Sequence, residues 1–455
     1  MSSGTSDAAR GRSRRAETRV TGLANAHRLA ALGEAIDQKA GVRHSTRVPK
    51  AARTGWRRHR GLLIAAGSVV SVIVLLLGGG YLYANWRFGQ IPKINNNAEV
   101  ARIGNQPFNI LEIGSDSRVG LTGFVAAQTG ASSGAVSGQR SDVIKIMHVD
   151  PGKRTITVLS IPRDTVVSLL ANQNLYGRFN RLNVNFQNGA SLLTKTITAN
   201  FGIPIAHTVV VGFAGIINTA DALGGVYMNF PYPAKDAYSG LNITHAGCQL
   251  VTDFQALALV RSRHYAWYQN GQWNYDVTSD YGRIYRQNEF IKAMLAKAKG
   301  QYNPFTINSL LSKLPQGIAL DSHFSLGELV GLAIKFHNID PANLQTVTLP
   351  TAPGGGVTNG YLVVQEPAAE QTLVNIFGNE LMRPTNPPVN ANGVVTPPPV
   401  IAVTTTTLKA KVASVVIPSA GAKFLVNVAA ATSTPVTTTT LPEGDQFFDP
   451  TPCTK

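Results

Sequence analysis

Five short clusters in this sequence combine arginine with aspartate or a hydroxyl side chain. They are Gly114-Ser-Asp-Ser-Arg118, Arg140-Ser-Asp142, Ile161-Pro-Arg-Asp164, Arg261-Ser-Arg263 and Asp280-Tyr-Gly-Arg283-Ile-Tyr-Arg286-Gln287. Together they supply Arg118, Arg140, Arg163, Arg261, Arg263, Arg283 and Arg286, with Asp116, Asp142, Asp164 and Asp280. A guanidinium is a planar fork that grips phosphate oxygens two at a time. Carboxylate oxygens are hard ligands suited to Mg²⁺, which keeps water and phosphate in the rest of its shell. Arginines grouped with a few aspartates therefore suit a pyrophosphate and a divalent cation. Taken singly, each cluster reads as a surface ion pair, and Asp280–Gln287 as a helix start. The sequence has no Walker loop and no HExxH. His148, His207, His245 and His264 lack the spacing of a triad or a metal site and read as structural or surface residues.

The elements around the clusters follow from periodicity. Phe108–Ile113 reads as a strand that stops at Gly114. Asp142–Val149 and Thr155–Ile161, joined through Asp150-Pro-Gly-Lys153, read as a hairpin. Helical spacing covers Ala190–Phe201, Ala214–Leu223, Thr252–Arg261, Arg283–Lys299 and Leu326–Phe336. Val209–Phe213, Val226–Phe230 and Thr346–Leu349 read as strands. Strands alternating with helices predict an α/β domain over residues 100–380, with the clusters at strand and helix ends, where open α/β sheets place ligands.

Charge is uneven along the 455 residues. Fourteen Lys/Arg and four acids put +10 of the net +16 in residues 1–60, an arm whose composition predicts disorder. Residues 61–84 carry no charge and are long enough to cross a bilayer as a helix, with Trp56 on one side and Tyr81, Tyr83 and Trp86 on the other. The stretch is too long and too far from the N-terminus for a signal peptide. The basic flank predicts a cytoplasmic arm and an extracytoplasmic domain after about Asn85. A basic arm can also bind nucleic acid, but beside an anchor it is better explained by the membrane surface, so no nucleic-acid partner is expected. Residues 383–455 are rich in Pro, Thr and Val, including Thr404–Thr407 and Thr437–Thr440, and read as an extended linker or stalk. Cys248 and Cys453 both fall on the expected outer side, where a disulfide is permitted but not implied. The sequence does not specify an oligomeric state.

With these motifs in order, the chain resembles the LytR-CpsA-Psr family of cell-wall enzymes. The resemblance rests on Phe108–Arg118, Arg140–Asp142, Ser160–Asp164, Asp221-Ala-Leu-Gly-Gly-Val226, Ala246-Gly-Cys-Gln249, Ala256–Arg263 and Asp280–Gln287, within roughly residues 105–300. It implies an α/β/α layered fold around a central mixed sheet, with a long apolar groove for a polyprenyl chain. It implies transfer of a phospho-glycopolymer from a polyprenyl diphosphate carrier to peptidoglycan, with Mg²⁺ (or Mn²⁺) on the diphosphate. Asp116 and Asp142 match the metal positions. Arg140, Arg163, Arg261, Arg263, Arg283 and Gln287 match the pyrophosphate positions, and Arg118 and Arg286 lie in the same motifs. For the base that orients the acceptor hydroxyl, Asp164 and Asp280 both remain open. The polymer, whether arabinogalactan, teichoic acid or capsule, is not selected. Gly120–Gln139 is an insertion between the two metal aspartates, either a lid or a loop. The aromatic stretch Tyr265–Tyr275 reads equally as a sugar platform or a packed loop. Two other functions stay in view: a hydrolase of polyprenyl diphosphates, and a membrane-bound transcriptional regulator.

Overall fold

The computed structural model describes residues 28–35, 56–102, 104–130, 140–299, 303–341, 344–390, 392–393 and 448–454. The chain divides into two units, Met1–Leu77 and Gly78–Lys455. Trp56–Phe88 is one helix of 33 residues containing the apolar stretch 61–84, although the side chains of residues 61–67 and 69 fall outside the described set. Among the described residues no helix is long and apolar enough to cross a membrane. Most of the basic arm lies outside the described residues.

The second unit is built on a seven-stranded mixed sheet. Its strand order is Lys93–Ile94, Ile318–Asp321, His207–Val211, Phe108–Ser115, Ser141–Asp150, Thr155–Ser160 and Gln345–Thr348. The expected hairpin is present: Ser141–Asp150 and Thr155–Ser160 run antiparallel, pairing Lys145 with Ser160 and Asp150 with Thr155. Phe108–Ser115 is antiparallel to Ser141–Asp150 and parallel to His207–Val211. Period-two alternation sends its residues to two different layers. Leu111 and Ile113 enter a core formed with Leu193 and Ile197 of the helix Ala190–Phe201 and Leu373 of the helix Ala368–Phe377. Phe108 and Ile110 face the other side, where Leu332 and Phe336 of the helix Leu326–Phe336 cover them. The result is the expected α/β/α layering.

A second apolar cluster lies beside the sheet. The helices Phe213–Ala222, Asp253–Arg261 and Asp280–Ala298 contribute Phe213, Ile217, Leu257, Val260 and Phe290 to it, together with Met228 and Phe230 of the strand Val226–Phe230. The aromatic stretch forms a hairpin, Ala266–Gln269 with Gln272–Tyr275, in a small four-stranded sheet with Ala234–Asp236 and Leu241–Ile243.

The expectation of an extended tail over 383–455 fails at both of its ends. Val389 is buried with Val166 and Val363. After a stretch outside the described residues, Thr451–Pro452 adds a strand to Val226–Phe230, and Phe448 stacks on Trp267 with ring centroids 3.8 Å apart. Cys453 is disulfide-bonded to Cys248, across 205 positions of sequence. In the 120–139 insertion, Gly123–Gln128 is a short helix, and residues 131–139 lie outside the described set.

Candidate active site

The strand Phe108–Ser115 ends against Ser141–Asp150, so the Gly114–Arg118 and Arg140–Asp142 motifs meet at one sheet end. Gly114 allows this close approach, because a Cβ there would lie 2.6 Å from the Cβ of Val143. Asp116 and Arg140 exchange bonds: the Arg140 N–H donates to Asp116 Oδ1 at 2.9 Å, and the Asp116 N–H to the Arg140 carbonyl at 3.2 Å. The Ile161–Asp164 motif follows the next strand, and Arg163 pairs there with Asp142. The helix Asp280–Ala298 crosses behind. Its Arg283 donates to the Asp142 carbonyl at 2.9 Å and pairs with Asp280 at 2.7 Å, while Arg263 Nε lies 3.1 Å from the same Asp280 oxygen.

The Arg261-Ser-Arg263 turn is held by a residue that the sequence reading missed. Asp236 Oδ2 accepts from the Ser262 hydroxyl at 2.7 Å and from the N–H groups of Arg263 and His264 at 3.0 and 2.9 Å. Its Oδ1 accepts from the N–H groups of Tyr238 and Ser239. Burial alone would raise the Asp236 carboxyl, but these donors outweigh it and hold it below the usual carboxylate range. A single ionised side chain thus fixes the turn that carries two arginines.

These elements enclose a cavity of about 370 Å³. Its polar lining includes Asp142, Arg163, Arg261, Arg263, Arg283 and Gln287. Its apolar lining includes Phe213, Ile216, Val260, Phe290, Ile291 and Met294, and the two sets meet where Arg261 lies over the Phe213 ring, 4.7 Å from its centre. Asp280 lines an adjoining recess shared with Asp142, Arg163 and Arg283. The Nε–H groups of Arg163, Arg283 and Arg118 are buried and make no hydrogen bond, while that of Arg263 is ion-paired with Asp280. Burial lowers the Arg283 guanidinium from its ordinary value, and nearby Arg163 and Arg263 add to this while Asp280 opposes it. Burial likewise lowers Arg261, with Arg118 adding repulsion. Arg163 also loses solvation, but Asp142, Asp280 and Asp164 more than compensate and raise it. Such a cluster favours an anion that brings its own charge and acceptors.

The sequence-derived residues separate on this geometry. Asp142, Arg163, Arg261, Arg263, Arg283 and Gln287 line the cavity, and Asp280 the recess. Asp116, Arg118 and Arg140 stand beside the entrance strand ends without lining it; Arg140 is exposed. Asp164 does not line the cavity; it sits between Arg181, 3.2 Å away, and Arg163, 3.6 Å away. Arg286 is a correction. Its side chain is fully buried away from the cavity, bonded to Asp276 at 2.8 Å, to Asp449 at 2.7 Å and to the Ser262 carbonyl at 3.0 Å. Three positions after Arg283, it lies on a neighbouring flank of the helix. Its role is to tie elements together.

His264, read as structural or surface, is exposed. It lines the cavity and packs against exposed Tyr238 at 4.3 Å between centroids. Glu112 and Lys145 line the cavity as well; they face each other across paired strands inside runs that read as apolar. Lys145 Nζ donates to Ser160 Oγ at 2.9 Å and to Asn288 Oδ1 at 2.5 Å. Burial pulls its ammonium down to about 8, against the pull of Glu112 and with Arg283 adding to the shift. Their only sequence signal is a charge at a core-facing position.

Known proteins share this architecture. The chain is 27% identical over 333 residues to the probable cell wall biosynthesis protein LcpB of Corynebacterium glutamicum, covering 71% of this chain and 75% of that protein. It is 28% identical over 217 residues to TagU of Halalkalibacterium halodurans, named a polyisoprenyl-teichoic acid–peptidoglycan teichoic acid transferase, covering 47% of this chain and 61% of TagU. A LytR-Csp2A-Psr enzyme from Actinomyces oris shares the fold at a TM-score of 0.51 and 22% identity, covering 65% of this chain and 97% of that one. The sequence model of the LytR_cpsA_psr family matches residues 89–376, and the chain belongs to that family.

Proposed function

We propose that the chain is a membrane-anchored phosphotransferase that attaches a polyprenyl-diphosphate-linked glycopolymer to peptidoglycan through a phosphodiester. The observation that carries this reading is the mixed lining of the cavity. Four arginines line it together with a set of apolar side chains, and the buried Nε–H groups of Arg163 and Arg283 make no hydrogen bond. A diphosphate joined to an isoprenoid combines the same two chemistries. The names of LcpB and TagU point the same way.

Asp116 and Asp142 sit at adjacent strand ends and offer oxygen donors only, a set that fits Mg²⁺ or Mn²⁺. Such an ion would neutralise charge on the diphosphate. Arg163, Arg261, Arg263 and Arg283 hold the phosphate oxygens and stabilise charge that builds on the leaving group. An acceptor hydroxyl oxygen bonds to the phosphorus nearer the glycan. The bond from that phosphorus to the bridging oxygen breaks, polyprenyl monophosphate leaves, and the hydroxyl proton is released. Of the two aspartates left open, Asp280 shares a recess with Asp142, Arg163 and Arg283, which favours it over Asp164 for orienting this hydroxyl. Anchoring through residues 61–84, with the arm cytoplasmic and the domain outside, agrees with the basic flank and with the Cys248–Cys453 disulfide, a bond suited to an oxidising compartment.

The test incubates the purified full-length chain with a polyprenyl-diphosphate-linked glycan, Mg²⁺ and peptidoglycan. Glycan joined to peptidoglycan by a phosphodiester, lost in Asp142→Asn, is expected. Free glycan phosphate as the sole product would sink the transferase reading in favour of a hydrolase.

A further inference from the structure

A second group of metal-compatible side chains lies away from the cavity. The strand Ile318–Asp321 carries Ile318 into the cavity wall, while Asp321 stands about 10 Å further along, at about 3.3 Å per residue. Beyond that end, Asp321, His323 and Glu99 bring one ligand atom each to within 4.8 Å of one another. Glu99 comes from the segment that follows the first strand of the sheet, so the group joins two parts of the chain more than 200 positions apart.

Acidic groups cluster on many surfaces without a ligand, but this one is not on the surface. The Asp321 side chain is fully buried and that of Glu99 is 3% exposed. Glu99 Oε1 is buried and makes no hydrogen bond. Glu99 thus keeps one buried oxygen without a hydrogen bond beside Asp321 and His323, a position that a cation can fill.

The spacing indicates the kind of cation. His323 Nδ1 lies 3.4 Å from Glu99 Oε2 and 3.9 Å from Asp321 Oδ1. An ion with bonds of about 2.0–2.1 Å to nitrogen and oxygen in tetrahedral geometry separates its ligands by about 3.4 Å. The imidazole favours zinc or a similar borderline cation over magnesium. Asp321 is already oriented, because its Oδ1 accepts from the N–H groups of His323 and Phe324, both at 2.8 Å. Its Oδ2 accepts from the Thr208 N–H at 3.1 Å and lies 3.1 Å from His207 Nδ1. His323 is 70% exposed, which leaves a way in and a fourth position for water.

We propose that Glu99, Asp321 and His323 bind one divalent transition-metal cation, of which Zn²⁺ is the type, clipping the Glu99 segment to the sheet edge. The clip is separate from the diphosphate site and does not depend on the function proposed above.

The purified full-length chain, stripped with chelator and returned to buffer with excess Mg²⁺, is titrated with Zn²⁺ against a fluorescent competing chelator. Thermal melting is followed in parallel. The expected result is one Zn²⁺ equivalent that raises the melting temperature and is weakened at least about tenfold by His323→Ala and by Glu99→Gln, but kept by Asp142→Asn. His323 is a surface side chain, so its alanine variant should fold, and melting without metal checks both variants. Zn²⁺ bound equally by wild type and both variants, or lost in Asp142→Asn, overturns the assignment. So does a wild-type chain that binds none.

Discussion

Arg283 and Arg286 lie three residues apart on one helix, and both are almost entirely buried. Their surroundings differ. Arg283 shares Asp280 with Arg263, has Arg163 as a further neighbour, and faces the cavity. Arg286 is bonded to Asp276, Asp449 and the Ser262 carbonyl and lies 4.6 Å from the centre of the Tyr265 ring. Each has an Nε without an acceptor, so an orphaned donor does not by itself mark a binding site. What separates them is stoichiometry. Around the cavity cations outnumber the anions that serve them; around Arg286 two carboxylates share one cation. The first arrangement awaits an anion, and the second already contains its own.

Breaking the second arrangement should have the larger effect on folding. Arg286→Met leaves Asp276 and Asp449 buried without a cation and should cost about 3–5 kcal/mol, read by urea unfolding. Retained stability with lost activity would instead put Arg286 in the same functional group as Arg283. In the cavity the damage should be catalytic. Arg163→Lys keeps the charge but loses the fork, so activity should fall about 100-fold, or about 2.7 kcal/mol, with little change in melting. An exposed control, Arg154→Lys, should lose almost nothing. Equal behaviour of the two would reduce Arg163 to a source of general positive potential.

The smallest effect concerns pH. Burial pushes the Asp449 carboxyl up to about 6, with Arg286 opposing and Asp276 adding to the rise. A carboxyl raised on folding contributes stability that is present below its unfolded value, near 4, and lost as pH climbs through 6. Stability should therefore fall by roughly 2 kcal/mol between pH 4 and pH 7 from this group. Asp449→Asn should remove that component of the pH profile. An unchanged profile would mean that Arg286 keeps Asp449 ionised throughout.

The central elements were legible because their periodicity is local. Ala190–Phe201, Val226–Phe230 and Leu326–Phe336 have the bounds that apolar spacing predicts, and the Pro-Gly turn forms its hairpin. The strand Ile318–Asp321 has only four residues and gives little periodic signal. The cavity arginines were found as a group through motifs, yet the same motif carried Arg286, because spacing along a helix does not say which flank meets a cavity. Asp236, Tyr238 and His264 were missed for a related reason: their roles come from contacts across the fold. Glu112 and Lys145 were hidden in strands whose other residues are apolar.

The pairing of Arg286 with Asp449 also has a consequence in time. A chain is made from its N-terminus, and domains begin to fold during synthesis. Arg286 emerges 163 positions before Asp449, and Cys248 emerges 205 positions before Cys453. During that interval the helix Asp280–Ala298 has only Asp276 for its buried cation, and the Cys248 thiol has no partner. The domain therefore has a late checkpoint in its biogenesis: a chain truncated before Asp449 would contain the whole catalytic cleft and still be left with a folding defect.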